Sequence, residues 1–231
     1  VNTAIAIGAL GVALFSAGDE NARLTWPGKF GAVLALLIGS LSLLQYLFGW
    51  DLGIDDLLFR QSGDPDTPYP GRPSMISAVI LCLMGSALLL AQLRERCLLA
   101  EGLVAVALTG TLVALTGYIM DINSLYRFNF FRTMTLPESL IFFMAGAAVW
   151  WSIPENHLSR LVLAQSAAGF MTRRLLAFAL IVPTGLGYLW LMGARQGYYN
   201  YEFGWVLLVV TSIVFLIGLM ILLGQSLLKL E

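Results

Sequence analysis

Three stretches, 50–74, 120–136 and 194–203, interrupt long apolar runs and carry most of the groups able to do chemistry. The first holds Trp50, Asp51, Asp55, Asp56, Arg60, Tyr69 and Arg72; the second Asp121, Tyr126, Arg127 and Arg132; the third Arg195, Tyr198, Tyr199, Tyr201 and Glu202. Arginine forks bind carboxylate, phosphate or carbonyl oxygens, and aromatic rings cover an apolar body. The mixture suits an amphiphilic small ligand. The candidate ligand-binding residues are Trp50, Asp51, Arg60, Tyr118, Asp121, Tyr126, Arg127, Arg132, Glu138, Arg195 and Tyr199. The same residues also suit an ordinary membrane protein's aromatic belt and salt-bridged loops.

Glu138 stands out because it opens an apolar run, "TLPESLIFF". The local pattern reads as a capping box, with Thr135 as N-cap, Pro137 in the first turn and Glu138 at the third position. A carboxylate there also suits the positive end of the helix dipole. The alternative is an acid at membrane depth, paired with Arg127, Arg132 or Arg195, or donating to a ligand. Pro183, with Gly185 and Gly187 beside it, predicts a kink or hinge in the sixth apolar run. Gln45, Tyr46, Thr109, Thr111, Thr116, Tyr118 and Tyr188 are polar groups within spans, expected to hydrogen-bond between helices.

Other chemistries lack their residues. "DLGIDDLLFRQSGDPDTP" has five aspartates but not EF-hand spacing. There is one histidine, His157, and two cysteines, Cys82 and Cys97, so no metal or cofactor ligand set is assembled. The two cysteines read as lying on one continuous helix, too far apart to bridge. No phosphate loop, nucleophile elbow or paired histidines mark an enzyme. Net charge is -1 over 231 residues, which carries no nucleic-acid footprint.

The elements that must position these groups follow from composition. The chain is 58% hydrophobic and 12% charged, about half the charge of a soluble domain. Seven apolar runs, roughly 3–18, 30–50, 75–93, 98–120, 137–153, 175–194 and 203–228, approach the ~20 residues a spanning helix needs. The expected fold is an all-α polytopic membrane helix bundle with seven visible spans and the lipid bilayer as its solvent. Eight of the Lys and Arg residues fall on one face of this layout and five on the other, which puts the C-terminus in the cytoplasm. The stretch 157–174, "HLSRLVLAQSAAGFMTRR", suits an interfacial helix meeting anionic lipid. The apolar start without a basic leader suggests a segment cut from a longer protein.

An internal repeat organises the spans. "NTAIAIGALGVALF" (2–15), "ISAVILCLMGSALL" (76–89) and "PESLIFFMAGAAVW" (137–150) each place a glycine nine positions on, Gly11, Gly85 and Gly146. The helices that follow also rhyme: "YLFGWDLGIDDLLFR" (46–60) and "YIMDINSLYR" (118–127). The unit is a helix pair in parallel register, and its small residues are expected to let helices approach closely.

With "LFGWDLGIDDLLFR", "PGRPSMISAVILCLMG", "MTLPESLIFFMAG", "AGFMTRRLL" and "GYYNYEFGWVLLVV" in this order, nearly the whole chain resembles the multi-helix membrane sensory region N-terminal to bacterial histidine kinases and diguanylate cyclases. The resemblance implies a further helix before the first repeat, eight spans in the parent protein, and a role as sensory input to a cytoplasmic output domain. It implies no particular ligand. That family usually has Thr at the position of Glu138, so the chain departs from it there. The expected function is binding of a small amphiphilic or apolar ligand near the outer face of the bacterial inner membrane. The last span would signal to the output domain, in a likewise expected homodimer. The alternatives are a passive anchor and dimerisation module, or a small transporter; the latter is disfavoured because no span centre is charged and no inverted repeat is visible.

Overall fold

An apolar segment in a dry environment must satisfy its backbone N–H and C=O groups internally, which favours helices throughout. The computed structural model describes residues 2–17, 24–54, 71–93, 97–121, 134–153 and 157–228. Among them are eight α-helices and no strand. They are α1 (Asn2–Ala17), α2 (Trp26–Phe48), α3 (Met75–Leu90), α4 (Cys97–Ile119), α5 (Leu136–Ser152), α6 (His157–Leu163), α7 (Ala167–Arg195) and α8 (Tyr201–Leu228).

Among the described residues, three helices are long and apolar enough to cross a membrane: α2, α4 and the Gly169–Arg195 part of α7; the Tyr201–Leu216 part of α8 is a shorter apolar helix. Helices α1 and α3 have 16 residues and α5 has 17. That is about 24–26 Å of helix against ~30 Å of hydrocarbon. The described residues thus show an all-helical chain with three helices of spanning length. Two expectations are corrected. Cys82 lies in α3 and Cys97 begins α4, because a turn at 91–93 ends the first helix; both cysteines are free. The stretch 157–174 is not one helix. It is α6, a break at 164–166, and the start of α7. Ser166 stops continuity by capping α7, its side chain accepting from the Gly169 N–H at 3.3 Å. The Arg173 guanidinium donates to the Val162 and Ala164 carbonyls, closing the end of α6.

The chain divides into two compact units, Val1–Asn156 and His157–Glu231. In the first, α3 is the central helix, packed against α1, α2, α4 and α5. The contact surface of α2 is made mostly of small residues, packed against α3, which buries larger ones such as Leu81 and Met84. Helix α2 buries Gly28, Gly31, Ala32, Ala35, Gly39, Ser42 and Gln45, one stripe at helical spacing. Several large side chains of α1 and α2 point outward: Phe15, Trp26, Phe30 and Leu47 are exposed. Water would select the reverse arrangement. Lipid is as apolar as leucine, so helices there associate by close backbone approach at small residues.

The repeat glycines divide by contact. A Cβ on Gly85 would lie 2.9 Å from the Ala32 carbonyl oxygen, so α3 rides directly on the α2 backbone. A Cβ on Gly146 would meet Leu108 and Met84 at 2.7 and 2.8 Å. Gly11 has nothing within 4 Å; its expected role as a contact point is not seen among the described residues. Two threonines of α4 also depart from expectation. Thr109 and Thr111 donate to carbonyls of their own helix, Ala105 and Leu108, at 2.8 Å.

The second unit contains an antiparallel pair, α7 and α8. Asn200 caps α8 by accepting from the Phe203 N–H at 3.0 Å. Trp190 Nε1 donates across the pair to Thr211 Oγ1 at 3.2 Å. From Arg174 to Arg195 the helix rises about 32 Å, close to the hydrocarbon thickness of a bilayer.

Candidate functional site

The polar groups of the first unit concentrate at its two ends. At one end, where α1 finishes and α2 starts, the Thr25 N–H donates to Ser16 Oγ at 2.7 Å. Gln92, just past α3, accepts there from the Leu24 N–H at 2.8 Å. The other end, where α3 and α5 start and α2 and α4 finish, holds Trp50, Asp51, Tyr118, Asp121 and Glu138 of the candidate ligand residues.

The repeat is visible there atom by atom. Ser74 caps α3 by accepting from the Ser77 N–H at 3.0 Å, and Thr135 caps α5 by accepting from the Glu138 N–H at 3.4 Å. One residue before each cap, a carbonyl accepts from a tyrosine of the preceding helix. Tyr46 Oη donates to the Pro73 carbonyl at 2.9 Å, and Tyr118 Oη to the Met134 carbonyl at 2.7 Å. Three residues after each tyrosine the backbone turns left-handed, at Gly49 with φ 66° and at Asp121 with φ 48°. Aspartate is one of the few residues that tolerates this region, so Asp121 has a structural role as a helix stop.

Glu138 joins the two copies. Its Oε2 accepts from the Thr135 N–H at 3.4 Å, completing the capping box. Its Oε1 accepts from Ser77 Oγ at 2.7 Å, and Ser77 Oγ lies 2.5 Å from Ser74 Oγ. Ser77 and Glu138 occupy the same repeat position, the third residue of their helices. One half-buried carboxylate therefore ties together the starts of two helices, each presenting its positive end. Beside this network lies Arg72, buried, with its guanidinium 5.3 Å from the centre of the Tyr46 ring. No protein-family model, no curated protein and no solved structure matches the chain.

The remaining predicted residues fall into three groups. Trp50 is exposed and stacked on Phe48, ring centroids 4.9 Å apart. Asp51 accepts from the Gly53 N–H at 3.1 Å, an Asx turn. Arg60, Tyr126, Arg127 and Arg132 lie outside the described residues, as does the aspartate-rich loop after Ile54. Arg195 and Tyr199 belong to the second unit. There the Tyr199 hydroxyl donates to the Trp190 carbonyl at 2.7 Å, and its ring tilts against Trp190 with centroids 5.6 Å apart. A Cβ on Gly193 would collide with the Tyr199 hydroxyl. Tyr199 thus plugs the turn between α7 and α8.

Ser74 and Ser77 were missed because a buried serine in an apolar run reads as packing. The signal available was the repeat itself, which puts Ser77 in register with Glu138. The two tyrosine ties are predicted to be equivalent. Tyr46→Phe and Tyr118→Phe should each lower stability by about 1 kcal/mol. The double variant should lose close to the sum, because the two ties share no partner. Unfolding curves in mixed detergent micelles measure this.

Proposed function

We propose that the chain is the membrane sensory domain of a bacterial signalling protein, with the three helices of spanning length and the four shorter apolar runs all crossing the cytoplasmic membrane and the C-terminus inside. The observation that carries this reading is the carboxylate of Glu138, which holds the starts of α3 and α5 through Ser77 and Thr135. A small amphiphile with its own hydrogen-bond donor would compete with Ser77 for Glu138 Oε1. The exposed Trp50 would cover its apolar part. Releasing one partner of a shared carboxylate gives the bundle two arrangements, and a ligand shifts them by its differential affinity. The change would pass through α8 to a cytoplasmic output domain, a histidine kinase or diguanylate cyclase, in a homodimer. The resemblance of the motif order to such sensory regions supports the same reading.

The competing reading is a passive anchor that dimerises and localises the output domain. It draws on the same network, whose polar groups find partners within the unit. Two measurements separate the readings. Mass analysis of the purified protein should find a retained small molecule. In the full-length protein, Glu138→Ala, Arg127→Ala and Arg132→Ala should each change the kinase or cyclase output. Unchanged output in all three, with nothing retained, would establish the anchor. Solute transport by the reconstituted chain would overturn both.

A further inference from the structure

Charge is exchanged between the two copies of the helix start. The first copy has its cation built in. Arg72, two residues before the cap Ser74, is buried with its guanidinium 5.3 Å from the centre of the Tyr46 ring. The third residue of α3 in that copy is the neutral Ser77. In the second copy the residue two before the cap is the neutral Thr133, and the third residue of α5 is the acid Glu138.

Glu138 has acceptor capacity to spare. An ionised carboxylate offers about four lone-pair sites. Here each oxygen accepts one bond, from Ser77 Oγ at 2.7 Å and from the Thr135 N–H at 3.4 Å. The second is long for a charged acceptor, and neither donor carries a charge. Among the described residues no Lys or Arg side chain supplies the counter-charge. A carboxylate at the edge of an apolar phase is costly without one.

The nearest ring is tied as in the first copy. Tyr118 Oη donates to the Met134 carbonyl, and Glu138 accepts from the N–H of the next residue, Thr135. Tyr46 makes the same tie to Pro73 and carries a guanidinium over its ring. The second copy therefore repeats the aromatic half of a cation site and puts a carboxylate beside it.

We infer that the site at Glu138 takes an organic cation, a primary ammonium on an apolar body. The sensory reading supplies only the place of the ligand; the charge follows from the exchange between the copies. One ammonium proton donates to Glu138 Oε1 in competition with Ser77, and the charge faces the Tyr118 ring as Arg72 faces Tyr46. A carboxylate or phosphate would be repelled there, and a neutral hydroxyl would make a bond about half as strong.

Radioligand binding to the 231-residue chain in phosphatidylcholine nanodiscs tests this, with phenethylammonium and octylammonium as probes and empty nanodiscs as the blank. Both should bind saturably. Phenethyl alcohol, the neutral counterpart, should displace them only at about tenfold higher concentration, and phenylpropanoate should not displace them. Glu138→Gln keeps the shape without the charge; it should weaken ammonium binding about tenfold and bring it level with the alcohol. Ser77→Ala removes the competing donor and should tighten ammonium binding about threefold or more, a gain that a folding defect does not produce. Absence of saturable binding by both probes, equal affinity for ammonium and alcohol in the unsubstituted chain, or weaker binding in Ser77→Ala would overturn the cation site. A neutral or anionic molecule retained by the purified protein, with output altered in Glu138→Ala, would overturn the cation and leave the sensory reading standing. Saturable ammonium binding with unchanged output would do the reverse.

Discussion

Glu138→Ala should lower the stability of the first unit by about 2–3 kcal/mol. Two contributions make up the effect. The Thr135 N–H loses its capping partner, which costs about 1 kcal/mol. Ser77 Oγ loses a charged acceptor, a bond worth about 1.5–3 kcal/mol, although its 2.5 Å neighbour Ser74 Oγ can take over part of that role. Glu138→Gln keeps an acceptor oxygen at the same reach and should recover more than half of the loss. The pair of substitutions also separates structure from sensing. If the charge itself receives a ligand donor, Glu138→Gln should alter output in the full-length protein while unfolding close to the parent. Both are read from denaturation in mixed micelles alongside output activity. A Gln variant as unstable as the Ala variant would show that the carboxylate's charge, and not its acceptor geometry, holds the two helix starts.

Gly31→Ala should be comparably severe, at about 1–3 kcal/mol, for an unrelated reason. A methyl group on Gly31 would land on the Ala9 carbonyl oxygen and sit 3.3 Å from the Ala13 nitrogen, both backbone atoms of α1. Neither can rotate away, so α1 must lift off α2. Gly31→Leu should prevent the two helices from assembling. Gly11→Ala is the control: Gly11 has nothing within 4 Å. Its replacement should leave stability unchanged or raise it by up to about 1 kcal/mol through helix propensity. Measured together, the three variants test whether this unit is held by backbone contact at small residues. Equal effects at Gly31 and Gly11 would argue for a propensity effect alone.

Those two results bear on the small-residue face of α2. Its stripe of glycine, alanine and serine makes a weak signal in any hydropathy profile, since α2 is apolar on all sides. The outward positions of Phe15, Trp26 and Phe30 become intelligible only once the small residues are seen to face other helices.

What the sequence determined by itself was local or periodic. Helical class followed from apolar runs too long and continuous for strands. The capping box at Thr135 and Glu138 was legible because its partners lie within one turn, and the chain has few other ways to satisfy those N–H groups. The helix-pair repeat was legible because it is a pattern of residue types, and it anticipated that Tyr46 and Tyr118 would correspond. Helix ends were less so: a hydropathy window cannot register the turn after Leu90 or the cap at Ser166. Only the tertiary structure decided which repeat elements touch. It paired Glu138 with Ser77 and each tyrosine with the carbonyl before the next cap. It put Gly31 and Gly85 on neighbouring backbones while leaving Gly11 open. The physical reason is that register states which residues are equivalent, whereas contact depends on where helices cross. In a medium as apolar as the side chains, that crossing is set by shape and a few hydrogen bonds between residues far apart in the chain.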